Sequence, residues 1–315
     1  MGRNIQMIAT FEKKTIKRLI VIEGPTASGK TALTVELASH FSTVVFSADS
    51  RQFYKELSIG TAKPLDNEKK GIPHFFVGSH SIHKELTAAS FAKEAEKLLA
   101  EQFKLHDTIL LVGGSGMFID ALCDGLDDIP ASRDLRDLIT LEVEKNGLEA
   151  LLNELEQTDP VYYAQVDRKN PVRIIRAIEA IRLSGKPYSE MRKAQKKGLP
   201  YDLQKFVIDY PRHALYERID QRVDRMMDAG LLDEVRSLIS FRDLNPLKTV
   251  GYSELFDYLE GKTSLSESIE RVKQNSRRYA KRQLTWFRRD PSVNWIPFNT
   301  TEKMKEDILA RLSSY

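Results

Sequence analysis

The 315-residue chain carries 48 Lys and Arg against 45 Asp and Glu, a net charge of +3, with 41% hydrophobic and 30% charged residues. A mean hydropathy of −0.39, with no apolar run near the roughly 20 residues that span a bilayer, excludes a polytopic membrane protein. The composition equally excludes a low-complexity disordered chain. Cys123 is the single cysteine, so no intramolecular disulfide can form. The basic opening stretch lacks an apolar signal core and a small-residue cleavage site, and the expected home is a reducing cytoplasm.

Residues 19–22 form a compact β-branched run that ends at Glu23 and Gly24 and predicts a buried strand. Gly29 opens a helix with apolar positions at Leu33, Leu37 and Phe41, and residues 43–46 predict a second strand. Residues 88–104 read as an amphipathic helix with Phe91, Ala95, Leu98, Leu99 and Phe103 on one side, leading to a buried strand at 108–112. This alternation predicts a parallel α/β sheet. From Ser132 to Lys197 the chain is charged and helix-favouring, broken at Pro160, Pro171 and residues 184–187. A strand returns at 205–209, and the remainder reads as helical, with joints near Gly230 and Gly261. The expected organisation is an α/β core in two parts, 1–130 and 199–315, interrupted by a helical insertion at 131–198. A cleft between the two bodies is the expected ligand site.

Residues 24–31 are Gly24, Pro25, Thr26, Ala27, Ser28, Gly29, Lys30 and Thr31, a complete G-x-x-x-x-G-K-[ST] between a strand and a helix. Amides at the start of such a helix converge on phosphate oxygens, aided by the helix dipole. Lys30 adds a point charge, and the Thr31 hydroxyl suits Mg²⁺. A P-loop ATPase also needs an acidic residue ending a second apolar strand. Here the 108–112 strand runs into Gly113, Gly114, Ser115 and Gly116 instead. That turn brings backbone or hydroxyl close to a ligand, or is an ordinary strand-to-helix turn. Asp49, Ser50, Arg51 and Gln52 follow the second strand on the carboxyl edge, where open α/β sheets bind ligands. Asp49 is either a helix N-cap or a carboxylate aimed into the phosphate-loop crevice as base or metal ligand.

Beyond these segments the chain contains Ile59-Gly-Thr-Ala-Lys-Pro64, Gly71-Ile-Pro-His74, Asn170-Pro-Val-Arg173, Val250-Gly-Tyr252 and Ala280-Lys-Arg-Gln-Leu-Thr-Trp286. In type and order this set resembles the tRNA dimethylallyltransferases, from near residue 20 to near residue 289. Phe75 and Phe76 depart from the pattern, as does Ser115 where the family usually has threonine. The resemblance implies a P-loop NTPase-like core with a helical insertion domain. It also implies transfer of a dimethylallyl group from dimethylallyl diphosphate to N6 of the adenosine 3′ of the anticodon, in tRNAs reading codons that begin with U. The phosphate loop would then hold diphosphate as a leaving group, with Mg²⁺ at Thr31, which accounts for the missing second acid.

By the same resemblance Asp49 accepts the N6 proton, Ser115 contacts or orients the adenine, and Arg218 lies near the diphosphate. Ser50, Arg51 and Gln52 would line the RNA side of a channel, and Arg136 and Arg173 of the insertion would contact tRNA, with a monomer acting on one tRNA. Arg133, Arg168, Lys169, Arg176, Arg182, Lys186, Arg192, Lys193, Lys196 and Lys197 extend the insertion's basic character. Arg277, Arg278, Lys281, Arg282, Arg288 and Arg289 do the same around Tyr279, Trp286 and Phe287. These sets read as phosphate tracks or as salt-bridged helical surfaces. A P-loop kinase or a non-catalytic nucleotide-sensing RNA binder remains the alternative that the loop alone would allow. The histidines His74, His80, His83, His106 and His213 lack metal-site spacing, and Cys123 reads as a buried hydrophobe.

Overall fold

The structure, a computed structural model, describes residues 16–192 and 197–313. The N-terminal leader and Lys193 and Lys196 of the insertion's basic set lie outside the described residues. Six strands, β1 (Arg18–Glu23), β2 (Val45–Ser47), β3 (His74–Phe75), β4 (Thr108–Gly113), β5 (Asp202–Asp209) and β6 (Asn294–Pro297), form one sheet. Their order is β3-β2-β4-β1-β5-β6, with every pairing parallel. Strand β1 lies between β4 and β5, with Leu19 opposite both Ile109 and Leu203. A parallel strand is covered on both faces, which explains why Leu19, Ile20, Val21 and Ile22 are all fully buried.

Leu19, Val21, Phe46 and Leu111 share one core with Phe91, Ala95 and Leu99 of the Ala88–Gln102 helix and Ile119 and Leu122 of the Gly116–Cys123 helix. Ile20, Ile22, Val45 and Leu110 face the opposite core, with Leu33 and Leu37 of the Lys30–Phe41 helix and Met304 and Ile308 of the Thr301–Leu312 helix. The side-chain period of two along each strand therefore supplies both layers from a single apolar run. Cys123 is buried in the first of these cores.

The chain divides into two compact units, Met1–Cys123 with Gly198–Tyr315, and Asp124–Lys197. The second unit is helical: Arg133–Asn146, Glu149–Thr158, Pro160–Gln165, Pro171–Ser184 and Tyr188–Met191. Pro160 and Pro171 begin helices, where a missing N–H costs nothing, and Asp159 and Asn170 cap those two helices. Its own core contains Ile139, Leu151, Leu155, Ile174 and Ile178.

Two strands differ from the sequence expectation. β3 is only two residues long, and β6 interrupts what reads as a helical C-terminal region. β6 exists because Ile296 sits opposite Ile208 of β5 and is fully buried there, a tertiary contact that four residues of local pattern do not announce.

The carboxyl ends of β2 and β4 are drawn together past the sheet itself. Ala48 donates its N–H to the Val112 carbonyl at 2.7 Å, and Ser115 donates its N–H to the Ala48 carbonyl at 3.3 Å. Gly113 permits this, since a Cβ there would lie 2.7 Å from the Ala48 carbonyl carbon and still closer to its oxygen. Gly113→Ala must therefore push the two chains apart, with an expected loss of about 3 kcal/mol in unfolding free energy measured in urea.

Candidate active site

The phosphate loop leaves β1 and enters the Lys30–Phe41 helix through left-handed backbone at Ala27 (φ 64°) and Gly29 (φ 86°). The second value suits glycine, whereas Ala27 holds it at a steric cost. The Ser28 hydroxyl is buried without a hydrogen-bond partner. The Lys30 ammonium folds back on the Pro25 carbonyl at 2.7 Å. Burial draws its pKa down to about 8, partly offset by the Asp49 carboxylate and reinforced by the Arg222 guanidinium.

A side chain from the C-terminal half completes the loop. Gln283, on the Leu265–Phe287 helix, accepts from the Thr26 N–H at 2.9 Å and donates to the Gly114 carbonyl at 2.8 Å. One amide thus bridges the phosphate loop and the glycine turn after β4. Arg218, on the Arg212–Asp228 helix, donates to the Ala27 carbonyl at 3.0 Å and stacks over the Tyr210 ring. Arg218 thus lies against the phosphate loop.

Next to the loop is a cavity of about 500 Å³ whose wall includes Thr26, Asp49, Ser50, Arg51, Arg222 and Tyr279. All its lining residues belong to the first compact unit, so this site does not depend on a cleft against the insertion. Asp49 accepts the Arg51 N–H on Oδ1 at 3.1 Å, which makes it a turn-capping side chain as well as a cavity wall. The Ser115 hydroxyl accepts from the Ser50 N–H at 3.0 Å and donates to the Ser50 Oγ at 3.1 Å. Burial and the nearby Asp49 charge push the Tyr279 phenol up to about 12, opposed by its hydrogen bond with Ser115, so it stays neutral and able to donate. Burial lowers the Arg222 pKa, and Asp49 offsets that.

Other expected residues have different surroundings. Gln52 donates to the carbonyls of Thr61 and Ala62, which fixes a loop. Thr31 is absent from the wall containing Asp49 and instead borders a groove with Ala32, Val35, Glu36 and Lys70. Arg136 of the insertion grips Glu179, which is fully buried and also receives Arg176. Arg173 is exposed, and its N–H is capped by Asn170. Arg182 pairs with Glu142 and Glu154. Much of the insertion's basic character is thus a salt-bridged surface. In the C-terminal helix region Arg282, Arg288 and Arg289 stack on Tyr279, Trp295 and Trp286.

Sequence reasoning singled out neither Arg222 nor the roles of Tyr279 and Gln283. Their signal is weak, because Arg222 sits in a helix full of charges and the other two differ little from neighbouring polar positions. No group of three or more His, Cys, Asp or Glu residues suited to a metal occurs among the described residues. Mg²⁺ beside a diphosphate needs only one or two protein oxygens, because phosphate and water supply the others. The Thr31 hydroxyl, with the unpartnered Ser28 hydroxyl three residues before it, is compatible with that donor set.

The Gln283 bridge has a measurable consequence. Gln283→Leu leaves the Thr26 N–H and the Gly114 carbonyl without their common partner. The expected results are a loss of about 2 kcal/mol in urea unfolding and a several-fold weaker affinity for inorganic diphosphate by calorimetry.

The family model described as IPP transferase matches residues 52–290. A tRNA dimethylallyltransferase of Cytophaga hutchinsonii is 48% identical over 288 residues, covering 91% of this chain and 95% of that protein. A second, from Bacteroides thetaiotaomicron, is 47% identical, covering 90% and 93%. The crystal structure of the tRNA isopentenylpyrophosphate transferase of Bacillus halodurans superposes with a TM-score of 0.70 at 36% identity, covering 95% of this chain and 97% of that one. A eukaryotic dimethylallyltransferase described as acting on tRNA gives a TM-score of 0.79 at 25% identity, covering 94% and 77%. By sequence over nine-tenths of its length and by fold, the chain belongs to the tRNA dimethylallyltransferase (IPP transferase) family.

Proposed function

We propose that this protein transfers a dimethylallyl group from dimethylallyl diphosphate to N6 of an adenosine in tRNA, the base 3′ of the anticodon in tRNAs reading codons that begin with U. The observation that carries this reading is one cavity in which the Asp49 carboxylate, the Arg222 guanidinium and the tip of the phosphate loop meet. No carboxylate ends β4, where an ATPase would hold its metal and water. A leaving group with its own negative charge needs cations and amides, and these are present.

The adenine N6 lone pair is delocalised into the ring and is a weak nucleophile. It attacks C1 of the allylic group as the C1–O bond breaks, and the bonding pair departs with the diphosphate. Lys30, Arg222 and the loop amides meet the charge that grows on the departing oxygens, and Arg218 steadies the loop through the Ala27 carbonyl. Mg²⁺ held at the Thr31 hydroxyl would supply further neutralisation of that charge. The proton released from N6 passes to the Asp49 carboxylate. The Ser115 hydroxyl, bonded to the Ser50 N–H and Oγ, would orient the adenine through Ser50, which is on the cavity wall.

A target base stacked in an anticodon loop cannot enter such a cavity, so the nucleotide must be turned out of the stack. Ser50 and Arg51 on the cavity wall would meet it. Arg136 and Arg173, with Arg278, Lys281 and Arg282 of the Leu265–Phe287 helix, would contact the phosphate backbone, and one monomer would serve one tRNA. Among the described residues no helix is long and apolar enough to cross a membrane.

Purified protein with Mg²⁺, labelled dimethylallyl diphosphate and unmodified tRNA is expected to yield prenylated adenosine on nucleoside mass analysis. Asp49→Ala is expected to lower kcat about a thousandfold with the fold retained. Near-normal turnover by that variant would remove Asp49 as the base.

A further inference from the structure

Glu234, in the Leu231–Ser237 helix, takes part in none of the chemistry above, yet its carboxylate is saturated by four donors. Oε2 accepts the N–H groups of Ser58 at 3.1 Å and Ile59 at 2.8 Å. Oε1 accepts the Gly60 N–H at 3.0 Å and the Tyr252 hydroxyl at 2.5 Å. Three successive backbone donors closing on one carboxylate make a concave anion seat, here occupied by the protein's own side chain. Burial and the Glu234 charge raise the Tyr252 phenol well above its usual range, so it remains a donor.

The clamped segment leads directly to the cavity. Gly60 and Thr61 form part of its wall, and the Thr61 carbonyl accepts from Arg222 Nη2 at 3.3 Å. Gln52 donates to the same carbonyl at 3.2 Å. Tyr252 packs so tightly that a Cβ on Gly60 would sit 2.7 Å from its hydroxyl, so loop, tyrosine and carboxylate fit together in one position.

We infer that Glu234 is a positioning residue. By clamping the N–H groups of residues 58–60 it fixes the Thr61 carbonyl that holds the Arg222 guanidinium over the diphosphate site. This rests on the proposed function for the identity of the ligand, but the clamp itself does not.

Glu234→Gln keeps size and shape yet offers one acceptor oxygen where both are needed, so one backbone N–H meets an NH₂ group. In the full-length enzyme the variant is expected to raise KM for dimethylallyl diphosphate and Kd for inorganic diphosphate about tenfold. kcat and the KM for tRNA should stay within about twofold. Hydrogen exchange at the amides of residues 58–60 should accelerate, whereas Arg222→Lys should weaken diphosphate without changing that exchange. Gly60→Ala reaches the same loop with Glu234 intact and should give the same KM increase if Glu234→Gln does not fold. Unchanged diphosphate affinity, with only a lower Tm, would overturn the positioning role. Failure of the wild-type enzyme to bind diphosphate at all would instead overturn the proposed function and leave the exchange result to judge the clamp.

Discussion

Two amide atoms of Gln283 connect parts of the molecule that sequence keeps far apart. Its oxygen receives the Thr26 N–H and its nitrogen reaches the Gly114 carbonyl, across separations of 257 and 169 residues. The phosphate loop follows β1 and the glycine turn follows β4, and these strands are neighbours in the sheet. The Leu265–Phe287 helix therefore locks the two turns at the carboxyl edge of the sheet. Every part of the site depends on this edge, including Asp49 after β2, which the absent side chain of Gly113 lets approach.

The electrostatics favour a particular cargo. Lys30 and Arg222 are both disfavoured as cations by burial, and Asp49 is the carboxylate that relieves each of them. A diphosphate would offset these two cations more fully than Asp49 alone. In the proposed reaction, bound diphosphate would relieve Asp49 of neutralising the cations, which would suit its proposed part as proton acceptor.

Much of the framework was legible. Residues 19–22, 88–104 and 108–112 carry enough apolar pattern to mark their elements, and the 24–31 motif with its flanks points to phosphate unaided. β3 and β6 were not, since two and four residues carry no period and form by pairing with β2 and β5. The roles of Arg222, Tyr279, Gln283 and Glu234 were hidden for a related reason. Each acts on a segment remote in the chain, and nothing local distinguishes Arg222 from the other arginines of its helix. The basic runs of the insertion read from sequence either as phosphate tracks or as a salt-bridged surface, and the structure pairs both Arg136 and Arg182 with acids within the insertion.

The central claim is that the phosphate loop serves an allylic diphosphate and not a nucleotide. Calorimetric titration of the intact protein with dimethylallyl diphosphate and, separately, with ATP, each with Mg²⁺, tests it most directly. The account predicts that the allylic diphosphate binds more tightly and that Lys30→Met abolishes its binding. Tight ATP binding with no heat from dimethylallyl diphosphate would contradict it and point to phosphoryl transfer.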